Sequence, residues 1–261
     1  MSEAALAPPV SKGRRTTFVV LTILFGLGLG LGAFAFLGLV AAWFGVGGRE
    51  VHRVHDLAWG AHGGLLIALP FLLQARRPET KPAVMQGAAA AGLGLFIGYA
   101  LGGQYLFALV PIVVVVLLWW FHPARGQRMR LGGRPQPILA ALALLAAIPL
   151  VMYALDQAAI QRACVNGDQH CEEFHYAGMA ALAYALPLVG LVALFRMPGW
   201  LITARLAAAA AAVFGLSAIL FPDLPSSIGT TWGAVTIGGG ILFLVVAELG
   251  ARRFESRPAS S

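Results

Sequence analysis

The chain has 261 residues, of which 59% are hydrophobic and only 11% charged. That balance is too apolar for a soluble domain of this size, and a net charge of +7 is explained more simply by basic loops on one membrane face than by a nucleic-acid surface. The expected class is an all-α, polytopic integral membrane protein whose first partner is the lipid bilayer, with no nucleic acid.

Apolar runs long enough to cross a bilayer core recur along the chain. They place eight transmembrane helices at 18–44, 57–75, 84–101, 105–121, 138–156, 175–195, 201–221 and 229–248. "KGRRTTF" before the first resembles a twin-arginine export signal. The apolar run behind it is too long for a signal h-region and shows no clear small-residue cleavage site, so it is expected to stay as span one. Only "GGQ" separates spans three and four, where Gly102 and Gly103 supply a tight reversal. With the N-terminus inside, every Lys and Arg except Arg49, Arg53 and Arg162 falls on the cytoplasmic side, which is 15 of 18. Seven or nine spans would scramble that partition. The expectation is one transmembrane domain over 1–261, multi-pass in the cell (plasma) membrane, with both termini cytoplasmic.

The halves 18–121 and 138–248 look related. A shift of 120 residues lays "HDLAWGAHGGLLIALPFLLQARRP", from His55, over "HYAGMAALAYALPLVGLVALFRMP", from His175. His55 then meets His175, Arg76 meets Arg196 and Pro78 meets Pro198; a shift of 117 instead aligns two "ALP" triplets. An internal repeat of four plus four spans is parallel, because four crossings restore the starting side, and its axis lies along the membrane normal. Spans two and six become counterparts. Gly94, Gly98 and Gly102 form a stripe on span three, and Gly60, Gly63 and Gly64 lie beside His62, so backbones can approach closely at both places.

On this topology the ionisable groups gather at the outer face. Glu50, Asp56, Asp156, Asp168, Glu172, Glu173 and Asp223 lie there, with His52, His55, His170 and His175. Three cations against seven acids leave a formal balance of −4, which the positive-inside rule does not demand. The densest stretch is "NGDQHCEEFHYAGM", at the end of the outer loop 157–174. Cys164 and Cys171 are the only cysteines. An oxidising compartment makes a disulfide the default, and two thiolate ligands the alternative, although C-x6-C lacks usual zinc-pair spacing. A bridge stiffens the loop that presents His170, Glu172 and His175.

Glu172 and His175 form E-x-x-H, which on one helix places both on a shared face. A di-iron carboxylate bundle is excluded, because it needs two such motifs and two further glutamates. The plainer use of Glu172 and Glu173 is a solvated helix start, where acids suit the dipole. His55 and His62 stand two turns apart on one face, with His62 about 10 Å deeper, a costly place for an unpaired polar group. Asp56 is a second ligand or an acceptor for a ligating imidazole.

The expected site is therefore His55, His62, His175, Glu172 and Asp56, with Asp156, His170 and Glu173 as further candidates. Its ligand is a transition metal ion, zinc, copper or iron, or haem b, which prefers two neutral histidines in an apolar slot. Electron transfer or metal-assisted chemistry follows. The alternatives are a non-catalytic membrane subunit or assembly factor that meets a membrane protein partner at the outer face, and a small-solute or cation transporter. Lys12 and Lys81 are the only lysines and neither lies in a span, which excludes a retinal Schiff base. There is no Walker motif and no HExxH.

Overall fold

Ser11 starts the first helix, its hydroxyl accepting from the Arg14 amide at the N-cap of α1 (Lys12–Leu27). The computed structural model describes residues 11–45, 49–123, 135–165 and 168–255. After α1 the "GLGLG" run, Gly28–Gly32, widens into a π-helix, and Phe34 adopts a left-handed φ of 58° before α2 (Ala35–Phe44). Glycines contribute little to hold a regular ladder, so the first span breaks there.

The next helix, α3 (Glu50–Gln74), is π-helical over Gly60–Ala68. A Cβ on Gly64 would stand 3.2–3.3 Å from Phe36 and Leu39, so glycine lets α2 lie close against this segment. Then come α4 (Pro82–Leu101), α5 (Tyr105–Phe121), α6 (Pro137–Arg162), the single turn α7 (Gln169–Glu172), α8 (His175–Ala193), α9 (Trp200–Leu220) and α10 (Gly229–Glu255). All regular structure among the described residues is helical.

Among the described residues, seven segments are long and apolar enough to cross a membrane. The shorter α5 is also apolar, with 17 residues, or about 26 Å against a hydrocarbon core of about 30 Å. Its faces expose large apolar side chains, Leu106 at 77% and Val113 at 63%. A water-soluble monomer does not tolerate such a surface, whereas lipid does.

The central contacts are α4 on α8, α9 on α10 and α6 on α8. A Cβ on Gly94 would stand 2.7 Å from Ala185 N and Cα, so glycine alone allows α4 and α8 to touch. Some pairings recur along the chain: α2 with α3 and α6 with α8, α4 with α5 and α9 with α10, α4 with α8 and α9 with α3.

Helix α6 does not stop at residue 156. It continues to Arg162, and α7 takes another turn, so much of the stretch 157–174 expected as loop is helical. "QAAIQR" contains good helix formers, and Arg162 in the last turn suits the negative end of the dipole. Cys164 and Cys171 are bonded, S–S 2.03 Å, which ties the end of α6 to α7.

Candidate metal centre

Four imidazoles from separate parts of the chain meet at one end of the bundle. His52 and His55 share a face of the first turns of α3. His170 belongs to α7, and His175 opens α8. One ligand nitrogen from each lies within 4.8 Å of the others. His55 stacks on His175 with ring centroids 4.7 Å apart, and His52 on His170 at 4.4 Å. His52 Nδ1 and His175 Nδ1 are 3.1 Å apart. His52 and His55 are buried, the other two half-buried.

For His55, His175 and His170 an oxygen partner decides which ring nitrogen is left over. Ser226 Oγ donates to Gln157 Oε1 at 2.6 Å, so it accepts from His55 Nε2 at 3.0 Å. His55 therefore carries its proton on Nε2 and keeps a bare lone pair on Nδ1. His175 Nε2 lies 3.0 Å from Glu173 Oε2, an acceptor only, which leaves His175 Nδ1 unprotonated and facing His52 Nδ1 at 3.1 Å. His170 Nδ1 faces Asp168 Oδ1 at 3.4 Å. His55 Nδ1 and His170 Nε2 are buried with no hydrogen-bond partner. Each such atom costs about 1–3 kcal/mol unless something takes its lone pair, and a cation among the four rings would do so. Three of the four rings thus have an oxygen on one nitrogen that orients the other toward the centre, the arrangement that commonly supports a ligating histidine.

Local structure holds these partners in place. Asp168 caps α7, its Oδ1 accepting from the His170 amide at 2.9 Å, so one carboxylate fixes both the turn and the ring. Buried Gln161 donates to Cys171 O at 3.0 Å and accepts from the Ala177 amide at 3.1 Å. The extension of α6 thus sets the position of α7 against α8. Arg49 binds both oxygens of Asp56 and Oε2 of Glu173, each at 3.0 Å. The Asp56 bond is the main reason that Arg49 holds its proton more firmly than an ordinary arginine. Burial alone would push Glu173 up; hydrogen bonds from Arg49 and Gln169, with the nearby positive charges, outweigh it and hold the carboxyl down at about 2. Glu173 therefore stays an ionised acceptor.

Of the residues expected from sequence, His55, His170 and His175 come together here. Asp56 and Glu173 stand one layer out, on Arg49 and His175. Glu172 is exposed and outside the donor group. It does not share a helix face with His175: α7 ends at Glu172, and Phe174, with φ 56°, separates it from α8. That turn removes the E-x-x-H geometry. His62 is fully buried in α3, its Nε2 3.0 Å from Ala91 O and its Nδ1 without a partner, and it is no member of the cluster. Asp156 is exposed at the rim of an apolar groove between α6 and α10. His52 was not among the expected ligands, although the spacing of "HRVH" carries its signal. Nothing local marks Ser226, which is 171 residues from His55.

Comparison with protein-family models, with curated proteins and with solved structures finds no match to this chain.

Proposed function

We propose that this is a plasma-membrane protein that holds one transition-metal ion on His52, His55, His170 and His175 and uses it for electron transfer. The observation that carries the reading is the pair of buried, partnerless nitrogens, His55 Nδ1 and His170 Nε2, inside a group of four converging imidazoles. Tetrahedral coordination at about 2.0–2.1 Å puts neighbouring donors roughly 3.3 Å apart. The His52–His175 pair already stands at 3.1 Å, and all four donors lie within 4.8 Å of one another, so binding an ion draws the rings together.

Four protein ligands leave no open position, which argues against metal-assisted hydrolysis. Four imidazole donors without a carboxylate suit copper best, then zinc. Haem fits poorly, because its broad ring would have to enter between imidazoles stacked at 4.4 and 4.7 Å. Among the described residues no second group of three or more donors converges in this way.

We place this end of the bundle outside the cell. The excess of basic residues lies at the opposite end, and a disulfide belongs to an oxidising compartment. With α5 counted as a crossing there are eight spans and both termini are cytoplasmic. The recurring helix pairings support two related four-helix halves, with α3 and α8 as counterparts.

The test is metal analysis of protein purified from membranes, followed by electron paramagnetic resonance after loading with Cu(II). One copper per chain with hyperfine coupling to several imidazole nitrogens is expected. Protein that carries no stoichiometric metal and takes up neither Cu(II) nor Zn(II) sinks the proposal. Zinc uptake without copper replaces electron transfer by a structural ion.

A further inference from the structure

A cavity of about 670 Å³ opens beside the imidazoles, far more space than one ion needs. Its polar end is formed by His55, His175, Arg49, Asp56 and Glu173. One wall is α2, through Leu37, Gly38, Ala41 and Ala42, and the other carries Trp59, Tyr99 and Phe174. Phe34, at 65% exposure, and Leu37, at 49%, stand at the lipid-facing side. A mostly apolar, aromatic cavity with a few convergent polar groups is the usual form of a small-molecule site.

The polar end selects the class of ligand. Two carboxylates surround one guanidinium that already binds both, so the site does not attract a phosphate headgroup. An organic cation is disfavoured once an ion of charge two sits on the four imidazoles. What remains is acceptor capacity. Asp56 Oδ1 and Oδ2 each accept one bond from Arg49, and a carboxylate oxygen has room for two. A neutral hydroxyl fits that demand, and the aromatic wall fits a flat ring.

We infer that this cavity binds a membrane-dissolved phenol or hydroquinone, its hydroxylated ring against Trp59 and Phe174 and its apolar tail leaving past Phe34 and Leu37. A ring held there would lie against His55 and His175; with Cu(II) on those imidazoles, one electron from the hydroquinone would reduce it to Cu(I), the hydroxyl proton passing to the Asp56 carboxylate and a neutral semiquinone remaining. Its role as electron donor, and the preference for a neutral ligand over an organic cation, rest on the metal reading above; the cavity and its acceptor groups do not.

Gly178 gives the test. It lies one turn after His175 and lines the cavity, and a Cβ there would meet only Tyr99 Oη at 3.9 Å. Gly178→Leu therefore fills the cavity without a backbone clash, and leucine favours the helix. Full-length protein in phosphatidylcholine nanodiscs is titrated with decyl-benzohydroquinone under argon, metal-free and copper-loaded, against empty nanodiscs. Saturable binding of one probe per chain is expected. Gly178→Leu should weaken it at least tenfold with copper content and thermal unfolding unchanged, and Leu37→Trp should do the same from the opposite wall. Gly238→Leu, at a position with nothing within 4 Å, should bind as the parent does. No saturable binding beyond partition into empty discs overturns the inference, as does parental affinity in both filling variants. If the probe binds but copper never does, the cavity site stands and the electron-donor role falls.

Discussion

Replacing His52 with alanine separates a metal ligand from a buried histidine that merely packs. The side chain is 2% exposed, and its ring centroid lies 4.4 Å from that of His170 and 4.8 Å from that of His175. Without metal, truncation removes one hydrogen bond to His175 Nδ1, worth about 0.5–1.5 kcal/mol, and leaves a void costing on the order of 2 kcal/mol. With metal a second effect appears. At free metal a thousandfold above Kd, binding stabilises the folded protein by about 4 kcal/mol. A hundredfold weaker site at the same metal concentration gives about 1.4 kcal/mol. The metal-induced rise in Tm should therefore fall from about 8–16 °C to about 3–6 °C. The assay is thermal unfolding of parent and variant with and without copper, with metal content measured on the same samples. His122→Ala is the control. That ring is fully buried away from the cluster and packs edge-on against Phe18 at 4.8 Å, so its loss should lower the metal-free Tm comparably and leave the copper shift intact. A full copper shift in His52→Ala would refute ligation by His52.

Three further outcomes follow from the same geometry. Glu173→Gln removes the charge that orients His175 and pairs with Arg49; metal affinity in a competition titration should drop about 10–100-fold, and an unchanged value would show that Glu173 does not position the ligand. A thiol reagent under denaturing, non-reducing conditions should modify neither Cys164 nor Cys171, and Cys164→Ser with Cys171→Ser should weaken metal binding about tenfold by freeing the turn that carries His170, without loss of the folded bundle. Gly94→Ala forces a methyl to 2.7 Å from Ala185 N and Cα; it should destabilise the α4–α8 contact by about 1–3 kcal/mol or more, seen as a lower Tm with copper stoichiometry preserved in the folded fraction.

Helical membrane character was legible in the chain because hydropathy is a sum over neighbouring residues and needs no knowledge of the fold. The gathering of acids and histidines at one end was legible for a related reason: once crossings are counted, sequence order alone assigns each loop to a side. The cysteine pair could be read because the two residues lie close in the chain. Gly94 and Gly98 marked a close approach, but not its partner, α8.

The candidate site was legible only in part. His55 and His175 could be paired through the 120-residue shift. The sequence singles out His62 rather than His52, because a buried position two turns beyond His55 looks costly on its own. The structure shows His62 Nε2 against Ala91 O, a contact supplied by another helix. Glu172 looked like a partner of His175 as long as one helix ran through both; the left-handed turn at Phe174 ends that relation. Arg49, by binding Asp56 and Glu173 together, keeps both carboxylates outside the ring of imidazoles. By itself the sequence determined which residues reach the same end of the bundle, since that depends on local hydropathy and chain order. Only the tertiary structure decided which nitrogen of which histidine faces the centre, since that depends on the directions of side chains from α3, α7, α8 and the Ser226 loop.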